Sequence, residues 1–431
     1  MSLNTIAYVG LTHLGLVSAA ATLEKGYQVI CFDTNEDIVN NLKSSKYPIN
    51  EPGFKEALEK NKDRLCFTSH LEDLKNAELV YVAPDIPTND AGVSHLEGIK
   101  KLITHVAPHI AKTSCLIVLS QVHPGFTRSL QEILLNSSID PHKIYYQVET
   151  LVFGIAMQRA LLPERFIVGA QNPRKPLDPN FETFLNAFHC PLLVMDYESA
   201  EFCKICINAF LAATVSTTNT LEEICTKIGA KWRDIVPALR LDKRIGEYAY
   251  LSPGLGLAGG NIERDLKTIT SLARNYGSHG QVVESFIQNS KHRRNWSLNV
   301  FYNHVLPQFP AKNVTIGVLG IAYKENTHST KNSAALKLLS QLNGFKIQAY
   351  DPLVKKLPFE SSSIILKQNA MEVVKGVDVL FLMTPWPEFK ELKLEALLPL
   401  MQNKFVVDPY KLLFVDPYVA KIRDMTYYSL C

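Results

Sequence analysis

The first forty residues alternate apolar runs with glycine in an order that few folds can accommodate. TIAYVG is followed by LTHLGLVSAAATLEKG and then by YQVICFD, which predicts a strand, a helix and a second strand. The turn between strand and helix carries Gly10, Thr12 and Gly15 at the three positions of the G-x-G-x-x-G dinucleotide-binding pattern. Glycine at the middle position lets the backbone approach a pyrophosphate, so Thr12 is expected to tighten that approach.

The second predicted strand ends at Asp33. In a dinucleotide-binding unit an acidic residue about twenty positions after the turn accepts hydrogen bonds from a ribose diol. No arginine follows Asp33 closely to receive a 2′-phosphate. The turn, helix, strand and terminal carboxylate together predict a site for NAD and favour it over NADP.

Further apolar runs continue this alternation in the first half of the chain. Strands are predicted at Leu79–Ala83, Cys115–Ser120 and Phe166–Gly169, with helices between them. Strands that alternate with helices are typical of a parallel, doubly wound sheet.

The last third of the chain repeats the same order. NVTIGVLG, IAYKENTHSTKNSAALKLLSQL and GFKIQAYDP predict a strand, a helix and a strand that ends at Asp351. Later strands are predicted at Val379–Thr384 and Phe405–Asp408. The predicted fold class is α/β, with two doubly wound Rossmann-like domains joined by a long central helix and a helical region.

The central helix is predicted over Ser199–Ile228, where apolar residues recur at helical spacing and Gly229 follows as a C-terminal cap. Lys204 and Asn208 are four residues apart and share one face of this helix. A lysine and an asparagine that converge on a buried site could polarise a substrate oxygen. The alternative is an ordinary solvated face.

Residues 229–300 are predicted to be mostly helical, apart from the glycine-rich stretch Ser252–Asp265. Its glycines, Gly254, Gly256 and Gly259 among them, would bring bare backbone N–H groups close to an anionic or sugar ligand. The alternative is a flexible surface loop.

The composition excludes several classes of function. In 431 residues the net charge is +3 and the basic residues form no long cluster, so neither nucleic acid nor a membrane surface is an expected partner. The apolar runs of the predicted strands are too short to span a bilayer. The eight cysteines show no framework spacing, which is typical of a cytoplasmic protein, and the one CxxC pair, Cys203 and Cys206, has no second pair at zinc spacing. No metal site is predicted.

With these landmarks the chain resembles the UDP-glucose/GDP-mannose dehydrogenase family over nearly its whole length. The matching segments are YPINEPG at 47–53, SAEFCK with NAFLA at 199–212, DKRIG at 242–246, PGLG at 253–256 and GIAYK at 320–324 with Thr327.

The resemblance implies an NAD-binding domain at 1–198, a central helical dimerisation domain with a catalytic glycine-rich loop at 199–300, and a domain at 301–431 that binds the nucleotide of a sugar, with a UDP-sugar as the favoured substrate. It also implies a homodimer. In such enzymes the sugar C6 alcohol is oxidised twice to the acid, with two NAD and a covalent thioester on a loop cysteine.

Functional residues follow from the resemblance position by position. It implies catalytic roles for Lys204 and Asn208, which stabilise an oxyanion, for Asp265, which orders a water, and for Glu149, which serves acid–base chemistry. The implied cofactor-binding residues are Gly10, Thr12, Gly15, Asp33, Ser120 and Lys331. The implied substrate-binding residues are Arg244, Gly254, Gly256, Gly259, Tyr323 and Lys324.

The family's loop cysteine is absent, because Asn261 stands at its position. An amide is no nucleophile at neutral pH, so the thioester route is lost. Cys206 is a poor substitute because it points about 200° around the helix from Lys204, and Cys203 is about 100° off. A second family glutamate is replaced by Phe153. Ser120-Gln-Val-His123 replaces a serine-threonine-valine-proline turn, two family aspartates become His328 and Ser329, and an arginine becomes Lys331.

Three functions remain open at this point. The leading hypothesis is an NAD-dependent nucleotide-sugar dehydrogenase that carries out one oxidation step, with Asn261 in its active site. The second is a catalytically silent regulatory homologue that binds NAD and a nucleotide sugar. The third is a hydroxyacid dehydrogenase, which the second α/β domain argues against because it has its own glycine turn.

Overall fold

The structure is a computed structural model that describes residues 4–89, 94–134, 139–309, 313–413 and 425–430. All of the predicted site residues lie within these ranges. The chain divides into two compact units, Met1–Ile207 and Asn208–Cys431.

Strands and helices alternate along much of the chain. The strands in the described ranges are β1 Thr5–Val9, β2 Gln28–Phe32, β3 Leu65–Thr68, β4 Leu79–Val82, β5 Cys115–Val118, β6 Ile144–Gln147, β7 Phe166–Ala170, β8 Leu192–Asp196, β9 Thr315–Leu319, β10 Lys346–Tyr350, β11 Ile364–Leu366, β12 Val379–Leu382, β13 Phe405–Val407 and β14 Thr426–Tyr428. The α-helices there are α1 His13–Glu24, α2 Glu36–Lys43, α3 Phe54–Lys60, α4 Glu97–Val106, α5 Phe126–Ile133, α6 Ala156–Leu161, α7 Pro179–Asn186, α8 Tyr197–Ile228, α9 Trp232–Leu241, α10 Asn261–Asn275, α11 Gln281–Arg294, α12 Trp296–Val300, α13 Ala334–Gln341, α14 Ala370–Val374, α15 Pro387–Lys390 and α16 Leu394–Leu397.

The first unit is built on an eight-stranded sheet with the order β3-β2-β1-β4-β5-β6-β7-β8. Neighbouring strands are parallel, except that β6 and β7 pair antiparallel through Tyr146 with Gly169 and Gln147 with Val168. The strand order reverses direction between β1 and β4, which makes this the switch point of a doubly wound sheet. The predicted parallel α/β sheet is confirmed, with one antiparallel pair added.

The two faces of this sheet pack into separate hydrophobic cores. Ile6 and Tyr8 of β1 lie in one core, while Ala7 and Val9 lie in the other. Successive side chains of a strand point to opposite faces, so a strand with helices on both sides is apolar at every position. This explains why β1, β4 and β5 appear in the sequence as continuous apolar runs.

Helix α8 has 32 residues and begins at Tyr197, two residues before the predicted start. It ends before Gly229, as predicted. By length and composition alone α8 is apolar enough to cross a membrane, and it is the one such helix in the described residues. Long helices in the cores of water-soluble proteins pass the same test, so length and composition alone do not identify α8 as a membrane-spanning helix.

The second unit contains a six-stranded parallel sheet with the order β11-β10-β9-β12-β13-β14. The sequence predicted a helix over 321–342 between β9 and β10. This prediction was wrong for 321–333, because the helix spans only Ala334–Gln341. Ser333 begins it by accepting hydrogen bonds from the N–H groups of Ala335 and Leu336 at 3.1 and 3.3 Å. The preceding residues are rich in Ser, Thr and Asn, whose side chains compete with helical hydrogen bonds.

The glycine-rich stretch is also shorter than predicted. Helix α10 begins at Asn261, so the last five residues of the predicted loop Ser252–Asp265 are helical. Asn261 and Asp265 therefore lie on the first two turns of a 15-residue helix, which holds them more rigidly than a loop would.

Candidate active site

The turn after β1 leaves no room for side chains at its first and last glycines. Gly10 has a φ of +91°, and a Cβ there would lie 2.8 Å from the nitrogen of Pro84. A Cβ on Gly15 would lie 2.3 Å from the carbonyl oxygen of Gly10. Gly10 needs glycine because its φ lies in the left-handed region. Gly15 needs glycine because it packs directly on the backbone of Gly10.

Thr12 occupies the middle position of the turn, where glycine is usual. Its hydroxyl donates to the carbonyl of Ala83 at 3.1 Å and accepts from the N–H of Asp85 at 3.0 Å. The side chain therefore ties the turn to the segment after β4. This gives the threonine a local role that the sequence did not indicate.

The carboxylate of Asp33 lies at the end of β2 beside the same turn. Oδ2 accepts from the N–H of Leu11 at 2.8 Å and Oδ1 accepts from the N–H of Asn35 at 2.9 Å. A carboxylate has about four acceptor positions, so these two bonds orient it and leave capacity for a ribose diol.

Ser120 follows β5 at the same edge of the sheet and is fully buried. Its hydroxyl donates to the carbonyl of Pro84 at 2.6 Å. The structure thus places Gly10, Thr12, Asp33 and Ser120 at the carboxyl ends of β1, β2 and β5, around the switch point of the sheet. This edge, together with the N-terminus of α1, is where a doubly wound fold binds a dinucleotide, and the residues present fit NAD.

A buried group at this edge was not predicted. Glu51 accepts a hydrogen bond from the N–H of Gly154 at 2.9 Å and lies 2.9 Å from Nε2 of His13, the first residue of α1. The ring of Phe153 packs on His13 with 4.2 Å between ring centroids. Glu51 is thus the link between α1 and the segment after β6, and residues so far apart in sequence give no local signal of this contact.

Lys204 reaches Glu149 within the first unit. The ammonium group donates to the backbone carbonyl of Glu149 at 2.8 Å and lies 3.7 Å from its carboxylate. Glu149 Oε1 also accepts from the N–H of Leu151. The two predicted catalytic residues are therefore in direct contact.

Asn208 reaches Asp265 within the second unit. Its Nδ2 donates to Oδ2 of Asp265 at 2.5 Å, and the guanidinium of Arg264 donates to Oδ1 at 3.1 Å. Asp265 is only 1% exposed. A buried carboxylate is stable when its charge is paired and hydrogen-bonded, and both conditions hold here.

Asn261 is exposed at the first position of α10. No cysteine occurs in the stretch 252–265. On α8, Cys203 packs against the core of the first unit, and burial raises the pKa of the Cys206 thiol. A raised pKa lowers the thiolate fraction, so Cys206 is a weak nucleophile.

The predicted residues of the glycine loop and of the segment after β9 meet in the second unit. The N–H of Gly259 donates to the carbonyl of Lys331 at 3.1 Å, and a Cβ on Gly259 would lie 3.0 Å from the ring of Tyr323. Burial raises the pKa of Tyr323 to about 12, so its hydroxyl stays protonated at neutral pH. The Lys324 ammonium is 6.0 Å from the centroid of the same ring.

Arg244 is not brought to this group. Its side chain is 89% exposed and pairs with Asp242 at 2.6 Å. Its predicted role in substrate binding stays a prediction.

The fold and these contacts define an α/β oxidoreductase that uses a dinucleotide. Family models for the UDP-glucose/GDP-mannose dehydrogenase family match its NAD binding domain at residues 4–182, its central domain at 198–291 and its UDP binding domain at 317–424. The chain belongs to the UDP-glucose/GDP-mannose dehydrogenase family, and its cofactor is NAD.

Curated relatives align along almost the whole chain. UDP-glucose 6-dehydrogenase TuaD of Bacillus subtilis is 28% identical, with 94% of this chain and 89% of the relative covered. UDP-glucose 6-dehydrogenase of Rickettsia typhi is 27% identical, with 99% of each covered.

Solved structures share the fold. A UDP-glucose dehydrogenase from Pyrobaculum islandicum superposes with a TM-score of 0.82 at 23% identity, covering 99% of this chain and 97% of the other. A UDP-D-ManNAc dehydrogenase from Pyrococcus horikoshii gives a TM-score of 0.83 at 21% identity, covering 99% of both.

Proposed function

We propose that this protein oxidises an alcohol of a nucleotide sugar with NAD, that its substrate is a UDP-sugar, and that it stops after one oxidation. The match of residues 317–424 to a UDP binding domain supports the substrate class. The names of the curated relatives point to the same class, since both are UDP-glucose 6-dehydrogenases.

One observation carries the proposal of catalysis. Lys204 and Asn208 lie one helical turn apart on α8, and each is hydrogen-bonded to another predicted catalytic residue, Glu149 and Asp265 respectively. An exposed, solvated helix face would not hold a lysine and an asparagine in this way. The pair is thus supported as catalytic machinery.

In the proposed reaction the alcohol loses a proton from oxygen and a hydride from carbon, so one carbonyl group forms for each NADH. NAD, when bound, supplies the hydride acceptor. The Lys204 ammonium stabilises the developing alkoxide, because one of its three N–H donors is used by Glu149 and others can face a substrate oxygen. The Glu149 carboxylate, 3.7 Å from Lys204 Nζ, serves as the proton acceptor.

In this family's chemistry the second hydride leaves from a thiohemiacetal that the loop cysteine forms with the aldehyde. Asn261 stands where the cysteine would attack, and its amide cannot form a covalent adduct with an aldehyde at a useful rate. The carbonyl product of the first step is therefore released.

The test is to incubate the protein with NAD and a panel of UDP- and GDP-sugars, and to count NADH per sugar consumed. One NADH per sugar, with a carbonyl product that hydroxylamine traps, is the expected result. Two NADH per sugar would overturn the single-oxidation proposal. Binding of NAD and a nucleotide sugar without any NADH would instead favour a regulatory homologue.

We also propose that the protein is a cytoplasmic homodimer. The dimer interface is the central domain at 199–300, which lies in the sequence between the domains at 1–198 and 301–431. Helices α8 and α9 support this because they expose large apolar side chains, such as Phe210 at 78% and Leu241 at 83%. Light scattering coupled to gel filtration should give a dimer mass for the wild type and a monomer mass for Phe210→Glu. A monomeric wild type would contradict the proposal.

A further inference from the structure

Two helices hold the glycine-rich stretch by hydrogen bonds to one residue, Gly254. Asn219 of α8 accepts a hydrogen bond from the N–H of Gly254 at 2.9 Å. Arg293 of α11 donates through Nε to the carbonyl of the same glycine at 3.2 Å. Asn219 and Arg293 are both buried, so both backbone groups of Gly254 are held from inside the unit.

Arg293 is itself held by a carboxylate. Its Nη2 lies 2.8 Å from Oε2 of Glu222 on α8, and both side chains are only 2% exposed. A buried ion pair is costly unless further hydrogen bonds satisfy its groups, and the Gly254 carbonyl is one of them. The planar guanidinium can reach the carboxylate and the carbonyl at once, whereas the single nitrogen of a lysine cannot do so in the same geometry.

Two residues further on, the loop rests directly on α11. Gly256 has a φ of +86°, and a Cβ there would lie 2.6 Å from the carbonyl oxygen of Ser290. The hydroxyl of Ser290 accepts from the N–H of Leu257 at 2.8 Å. These contacts describe a preformed loop and argue against a flexible surface segment.

We propose that Arg293, oriented by Glu222, is a positioning residue that keeps the loop at 252–257 in the form that binds the nucleotide sugar. The inference rests on the proposed function for the identity of that ligand. Loss of the Arg293–Gly254 bond weakens substrate binding and leaves NAD binding unchanged, because Gly10, Thr12, Asp33 and Ser120 lie at the edge of the first sheet and not on the stretch that Arg293 holds. The contacts that define this role are separate from Lys204, Asn208 and Asp265.

The test compares Arg293→Lys with Arg274→Lys, an exposed arginine of α10 that lies 3.8 Å from the carboxylate of Glu284. Lysine at 293 keeps the positive charge beside Glu222 but gives up the bond to Gly254. The KM for the nucleotide sugar and its dissociation constant should rise about tenfold in Arg293→Lys, as for one lost hydrogen bond, with the KM for NAD unchanged. Arg274→Lys should match the wild type.

Hydrogen exchange of the peptide covering 252–257 gives a readout that needs no turnover. Exchange should be faster in Arg293→Lys than in Arg274→Lys. Asn219→Ala leaves the ion pair intact and should have the same effect on exchange and KM, so it carries the test if Arg293→Lys does not fold.

The two ways of failing can be told apart. Unchanged exchange at 252–257 together with an unchanged KM or dissociation constant in Arg293→Lys and Asn219→Ala would overturn the positioning role. A wild type that turns over no nucleotide sugar would remove the proposed function instead, and the exchange comparison would still decide whether Arg293 positions the loop.

Discussion

The side chains of Asn208 and Asp265 share a hydrogen bond of 2.5 Å although they are 57 residues apart in sequence. Asn208 lies on α8 and Asp265 on α10, so the bond joins two helices inside the second unit. Asn208 and Arg264 together supply a hydrogen-bond donor to each carboxylate oxygen of Asp265. The orientation of Asp265 therefore depends on Asn208.

Replacement of Asn208 tests this dependence. Asn208→Ala should lower kcat about tenfold to a hundredfold and destabilise the fold by about 1–3 kcal/mol, because a buried carboxylate loses a donor. Steady-state kinetics and urea unfolding would measure both effects. Thr217→Ala, on an exposed position of the same helix, is the control and should change neither; an unchanged kcat in Asn208→Ala would contradict a catalytic role.

The two aspartates that directly follow β2 and β10, Asp33 and Asp351, should behave differently. Asp33 orients the cofactor turn, so Asp33→Asn should weaken NAD binding about tenfold to a hundredfold through loss of a charged acceptor. Calorimetric titration with NAD measures this. Equal NAD affinity in Asp33→Asn and wild type would refute the cofactor assignment.

Asp351 is the matched case, since it is buried and accepts hydrogen bonds from five N–H groups: those of Ile321, Ala322, Leu353, Val354 and the Trp386 indole. Asp351→Asn should lower the free energy of unfolding by about 1–3 kcal/mol, because an amide nitrogen would face N–H donors. The NAD affinity of the folded protein should not change. A large loss of NAD affinity would show that Asp351 is more than a structural residue.

Restoring a thiol at 261 should change the product. In Asn261→Cys the thiol lies at the start of α10, where the helix dipole lowers its pKa and favours the thiolate. We expect the ratio of NADH to sugar to rise from one toward two, with an acid among the products. Asn261→Ser is the control and should stay at one; a ratio of one in the cysteine variant would show that more than the nucleophile is missing.

Glu201 should make stability fall as the pH rises. Its carboxylate accepts from the N–H groups of Gly125 and Thr127 at 2.6 and 2.8 Å, yet burial raises its pKa above the ordinary value. The folded state then holds its proton over a pH range where the unfolded chain has lost it, beginning near the ordinary glutamate pKa of about 4.3. The stabilisation that Glu201 contributes is fully present below a pH of about 4.3 and is lost as the pH rises through the raised pKa of the folded state.

Glu201→Gln removes the titration and keeps a carbonyl acceptor. Urea unfolding from pH 4 upward should show a difference in free energy between wild type and Glu201→Gln that shrinks or reverses as the pH rises. A constant difference over this range would show that the Glu201 pKa is not raised in the folded protein.

Much of the fold could be predicted from the sequence. The buried strands β1, β4, β5 and β9 appear as apolar runs, and α8 appears as a helix closed by Gly229. The missed strands were mostly at sheet edges, namely β3, β8, β11 and β14. Edge strands are partly exposed, so they lack the continuous apolar run that marks a central strand.

Local patterns in the chain are enough to predict the cofactor turn and the helix pair. Gly10, Gly15 and Asp33 follow from local sterics and strand length, and Lys204 and Asn208 share a face because of helical periodicity. The partners of these residues become visible in the folded protein alone. Asn208 bonds to Asp265, and Glu222 pairs with Arg293 across 71 residues. Such pairs depend on how distant helices pack, and no local pattern in the chain encodes that packing.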